Sequence, residues 1–249
     1  MIRNCKLNNS VISYSFINLY DESFQMNKIR ENEAIQAYTK LLQNKGADQD
    51  VLNSRTSFLK KFSSYLDKRE LDGSEYREAL EILMEAIPVD DWHASLTAAR
   101  EFYPFWLQDI KAIAAFNVNP GFDVTQPSWK PLPASLKSLT DSLETEKFDV
   151  SENWPVKAYS QALRQEGAAQ LLVDTRIKLA KIILIRLRDA PLKNHKSYRV
   201  AVDHTLPLFH IKQNRRLFLV VVREFYHFWS GNPDASNMVL KDGSGNMLL

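Results

Sequence analysis

The sequence predicts an all-α fold assembled from two copies of one roughly four-helix unit. Apolar residues recur at helical rather than strand spacing along most of the chain. The segment REFYPFW at residues 100–106 returns, one letter changed, as REFYHFW at residues 223–229. Glycine is scarce, with 7 in 249 residues where about 7% is usual, which disfavours folds built on tight turns or glycine-lined phosphate loops.

The repeat extends well beyond the heptapeptide. Shifted by 121, NEAIQAYTKLLQNKGA (32–47) falls on NWPVKAYSQALRQEGA (153–168), bringing Tyr38 onto Tyr159, Leu42 onto Leu163, Gly46 onto Gly167 and, further on, Arg55 onto Arg176. At a shift of 122, EYREAL (75–80) meets SYRVAV (197–202), and at 123 the two REFY motifs coincide. Matches that keep their order while the offset drifts by only two residues indicate a tandem duplication. Two such units are expected to pack together with a pseudo-twofold relation.

Taken in order, residues 1–25 read as an N-terminal extension without signal-peptide features, because the apolar run in NNSVISYSFINLY is broken by Ser and Asn. The first unit, 26–122, is expected to hold helices near 32–45, 50–68, 74–87 and 92–116. Gly46 follows a helical run where a left-handed cap favours glycine. Tyr76, Ala79, Leu80, Leu83, Met84 and Ile87 form one apolar stripe. Asp90 and Asp91 suit a helix start, and Pro104 is expected to kink or shorten the last helix. A connector at 123–150 is proline-rich and carries one short helix on Leu136, Leu139 and Leu143.

The second unit, 151–235, repeats the pattern, with Pro155 suiting a first helical turn and Pro207 interrupting a later helix. Its stripe is Tyr198, Ala201, Val202, Thr205, Leu206 and Phe209. LFLVVVREF (217–225) alone would suit a buried strand by its β-branched residues, yet its counterpart ASLTAAREF (94–102) is a poor strand and a plausible helix. Residues 236–249 read as a frayed tail. Within REFYxFW, Phe102, Tyr103, Phe105 and Trp106 cover more than half of a helix circumference, so the motif is expected to be the core post of each unit.

Several function classes find no support. A single cysteine, Cys5, excludes an internal disulfide and a cysteine-based zinc site and fits a cytoplasmic protein. No run approaches the roughly 18 apolar residues of a membrane span. The five histidines show no HExxH or metal-ligand spacing, Asp203 and His204 are helix neighbours that point apart, and Glu78, Glu81 and Glu85 read as a solvated acidic face. There is no GxSxG, Walker loop or dinucleotide fingerprint. No cofactor, metal or catalytic residue is expected, and a non-enzymatic role is favoured.

The charged residues carry the functional signal. Arg55/Arg176, Arg77/Arg199, Arg100/Arg223 and Glu101/Glu224 recur at matched positions, as structural ion pairs or as paired anion sites. Residues 26–122 carry 12 Lys and Arg against 15 Asp and Glu, whereas residues 151–249 carry 15 against 8. The second unit is therefore basic, with KQNRR (Lys212, Arg215 and Arg216) its clearest exposed cluster. Such a surface suits an acidic protein partner, self-association with the acidic unit, or nucleic acid. FLKKFSSYLDKRELDGSEYREAL (58–80) resembles the helical arm-type domain that precedes the catalytic half of tyrosine recombinases, which implies nucleic-acid contact, but no recombinase catalytic set follows it. The expected function is that of an intracellular helical-repeat protein-binding or scaffold protein, with nucleic-acid binding through the basic unit as the alternative.

Overall fold

The computed structural model describes residues 30–67, 69–118 and 129–239. The N-terminal extension at 1–25 and the tail beyond residue 239 lie outside them. Ten α-helices and no strand occur among the described residues: α1 (30–44), α2 (Gln49–Leu66), α3 (Gly73–Glu85), α4 (Trp92–Trp106), α5 (Ile110–Val118), α6 (Leu136–Thr145), α7 (Val150–Gln165), α8 (Gln170–Leu187), α9 (His195–Thr205) and α10 (Lys212–Trp229). They fall into two compact units. The first holds the described residues of Met1–Ile87 and Thr97–Gln126, the second those of Pro88–Leu96 and Pro127–Leu249.

Local chemistry explains the boundaries. Gly46 (φ 79°) and Gly167 (φ 80°) both close their helices in the left-handed region. Ala47 N donates to Leu42 O and Ala168 N to Leu163 O, the long bond of a Schellman cap in each case. Asp72 and Asn194 cap α3 and α9, accepting from Ser74 N and Ser197 N. Pro207 sits in the 3-10 turn Leu206–Leu208 that ends α9.

Two expectations are corrected. The helix anticipated at 92–116 is two helices, because Pro104 lacks the N–H that would continue the ladder and α4 stops at Trp106. Gln108 then turns through φ 56°, and Asp109 caps α5 by accepting from Ala112 N. Pro155 lies in the second turn of α7 rather than the first, because a capping box between Asp149 and Glu152 starts the helix at Val150.

Both apolar stripes face inward. Tyr76, Ala79, Leu80, Leu83 and Met84 are buried on α3, and all six residues of the second stripe are buried on α9 and the turn after it. Within the second unit α10 packs against both α7 and α8, and α6 packs on α8. The segment at 217–225 is helical, as its counterpart implied. In that register Ala98 and Ala99 match Val221 and Val222, and all four are buried. Phe102, Phe105 and Trp106 are buried in the first unit, Phe225 and Phe228 in the second, while Trp229 is half-buried.

Candidate functional site

A buried arginine, glutamate and tyrosine meet in the same way in each unit. In the first, Arg55 Nη1 donates to Glu101 Oε2 and, at 3.0 Å, to the Tyr38 hydroxyl, which itself donates to Glu101 Oε2 at 2.7 Å. In the second, Arg176 Nη1 donates to Glu224 Oε2 at 2.8 Å and the Tyr159 hydroxyl donates to the same oxygen at 2.5 Å. Burial, reinforced by the glutamate charge, pushes both tyrosine hydroxyls far up. Alongside, Tyr76 donates to Ala99 O and Tyr198 to Val222 O, each at 2.7 Å. Arg55 and Arg176 are 7% and 2% exposed, and each guanidinium neutralises an internal carboxylate.

The other arginines divide by exposure. Arg77 is half-buried and donates from Nε to Gly73 O at 2.8 Å, and Arg100 is half-buried on α4. Arg215 is half-buried, with Nη1 3.3 Å from both Phe209 O and His210 O. Lys212, Arg216 and Arg223 are exposed on α10, and Lys196 and Arg199 on α9. The α10 residues fall at i, i+4 and i+11, which places them within about 40° of arc. The opposite side of α10 is the core side, carrying Phe218, Val221, Phe225 and Phe228. The helix thus exposes one basic row.

Two further clusters had no local signal in the sequence. His93 Nδ1 and Asp203 Oδ2, 110 residues apart, lie 2.8 Å from each other, and Asp203 is fully buried. The His204 ring stacks on His93 with centroids 5.8 Å apart and planes at 19°. Burial, assisted by the nearby His93, Arg186 and Lys130 charges and opposed by Asp203, lowers the proton affinity of His204. Arg186 is buried as well, donating from Nε to Thr205 Oγ1 at 3.3 Å and from Nη1 to Leu132 O.

The second cluster lies in a cleft of about 370 Å³ in the second unit, where Arg188 meets Glu152 beneath Tyr226 and Trp229. Arg188 donates to Glu152 through Nε (2.9 Å) and Nη2 (3.1 Å), to Glu146 through Nη1 (2.6 Å), and to Lys147 O through Nη2 (3.0 Å). Its guanidinium also lies 5.0 Å from the Phe148 ring centroid. The carboxylates raise its proton affinity further. Lys193 and His195 stand exposed at the rim.

Among the described residues no group of three His, Cys, Asp or Glu side chains is arranged to hold a metal ion, and no helix is long and apolar enough to cross a membrane. No protein-family model, curated protein sequence or solved structure matches the chain.

Proposed function

We propose that the protein is a non-enzymatic binding protein, built by tandem duplication of one helical unit, whose second unit presents a basic helical face to an acidic protein surface. The exposed row of Lys212, Arg216 and Arg223 on α10, flanked by Lys196 and Arg199 on α9, carries this reading. Concentrating one sign of charge on a face steers encounter with the opposite sign and fixes orientation. The duplication is supported by the matched triads, by Gly46 and Gly167 in the same backbone state, and by the 18-residue lengths of α2 and α8.

An acidic protein partner is favoured over single-stranded nucleic acid because the basic row is not interleaved with exposed aromatic rings on which bases would stack. Trp154 is the exposed large aromatic among the described residues, and it belongs to α7. The test is a fluorescence-anisotropy titration with a labelled Glu/Asp-rich peptide and with single- and double-stranded DNA and RNA, at low and moderate salt. The peptide is expected to bind, with affinity falling as salt rises, and the charge-reversal variant Lys212→Glu/Arg216→Glu/Arg223→Glu is expected to lose at least about tenfold. Tighter binding of nucleic acid than of peptide at equal salt would replace the partner by nucleic acid. No binding of either at low salt would overturn the proposal.

A further inference from the structure

At one of the matched positions where the two units differ in charge, the first unit holds a buried carboxylate oxygen with no hydrogen-bond partner. Glu152 lies in the first turn of α7 and Arg188 caps the C-terminus of α8. Their counterparts at a shift of 121 are Glu31, near the start of α1, and Asp67, which caps the C-terminus of α2. Where the second unit has a carboxylate gripped by a guanidinium, the first has two carboxylates.

The consequence is visible in the hydrogen bonding. Glu31 is 3% exposed, yet its Oε1 has no hydrogen-bond partner. Asp67 Oδ1 and Arg30 Nε, which belong to the two groups whose charges act on Glu31, are also buried and unpartnered, so three of the six such atoms among the described residues belong to this group. Trp106 is 1% exposed and is the counterpart of Trp229, which lines the cleft around Glu152 and Arg188. Arg30 is the cation whose charge acts on Glu31. Buried polar atoms are nearly always satisfied by protein, water or a bound group, so a cluster of unsatisfied ones calls for a partner.

The second unit shows what chemistry fills it. Arg188 offers a planar fork, with Nε and Nη2 on one carboxylate and Nη1 on a second. From this template we infer that the Glu31–Asp67 position of the first unit binds a guanidinium group supplied from outside the unit, in the place that Arg188 occupies in the second. The inference rests on reading the two units as copies of one another, and it is independent of the basic face on α10. The guanidinium belongs either to a small molecule or to an arginine side chain of a partner.

The experiment uses the full chain at pH 8 and low salt, with agmatine, the peptide Gly-Arg-Gly and, as a neutral control, the ureido analogue of agmatine. Binding is read by calorimetry and by thermal shift. Agmatine at about ten times its dissociation constant is expected to raise the melting temperature by about 3 °C, and the ureido control to raise it not at all. Binding of agmatine alone assigns a small molecule, and tighter binding of the peptide assigns a partner side chain. Asp67→Arg should place a guanidinium within the unit, so that it raises the melting temperature without ligand and weakens agmatine at least about tenfold. Glu31→Gln provides a second variant that keeps side-chain shape, and it is expected to abolish binding while retaining the fold. A stabilised Asp67→Arg protein together with a wild type that binds no guanidinium would overturn the inference and leave the duplication reading intact. A destabilised Asp67→Arg protein would count against the equivalence of the units, and unchanged agmatine binding in either variant would overturn the site.

Discussion

Glu31 makes the stability of the first unit depend on pH in a direction opposite to that of most carboxylates. Burial, reinforced by the Asp67 charge and only partly relieved by Arg30, lifts its carboxyl from 4.5 to about 7. The folded state therefore holds a proton that the unfolded chain releases. This contribution to stability is complete below pH 4.5 and is lost as pH rises through 7. At about 1.4 kcal/mol for each pH unit of displacement, the loss comes to about 3 kcal/mol by pH 8.5. Urea unfolding followed by tryptophan fluorescence at several pH values from 4 to 8.5 measures it, with Glu31→Gln as reference. Wild type should lose about 3 kcal/mol more than the variant across that range. His204, whose lowered proton affinity works with the opposite sign, is common to both proteins and cancels in the difference. Parallel stability curves for the two proteins would refute the reasoning.

Three other predictions follow from the packing. Glu224→Gln removes the counter-charge of Arg176 and is expected to cost about 3–5 kcal/mol in denaturant unfolding, whereas the double change Arg176→Met/Glu224→Leu should recover much of that loss. Trp106→Ala empties a fully packed site and should also cost about 3–5 kcal/mol; a loss below about 1 kcal/mol would show that the REFYxFW motif does not hold the core. Gly46→Ala and Gly167→Ala should each cost about 1 kcal/mol by melting temperature, through backbone strain alone, since an added Cβ at either place meets nothing within 4 Å.

The helical architecture was legible because it is written at short range. The stripe from Tyr76 to Met84 and the cap at Gly46 each depend on residues a few positions apart, whereas Pro104 signalled a kink or a shortening and not the separate helix that follows. Comparison of the two halves added what a single segment does not carry, namely that LFLVVVREF is a helix. The candidate sites were less legible. The recurrence of Arg55, Glu101 and Tyr38 at matched positions was visible, but their mutual neutralisation depends on pairings 46 and 63 residues apart. Asp203 and His204 read as helix neighbours that point apart; the structure brings His93 from another helix to within 2.8 Å of Asp203, which no local spacing announced. The difference between Asp67 and Arg188 stood in the aligned sequences all along. It acquired meaning only when Glu152 was seen in the grip of Arg188.

Two units that hold the same kind of buried triad face a hazard during folding, because a helix of one can be offered to the slot of the other. The core of this chain carries a device against such exchange. Ala98 and Ala99 take the places in α4 that Val221 and Val222 take in α10, and all four are buried. An α10 inserted where α4 belongs would bring surplus methyl groups into a closed space, at a cost of about 1–3 kcal/mol for the overpacked core. The reverse exchange would leave voids of similar consequence. Steric volume beside the REFY motif thus sorts the two helices to their own units while the common Arg–Glu–Tyr chemistry is kept, and refolding from denaturant is expected to proceed without trapped, exchanged species.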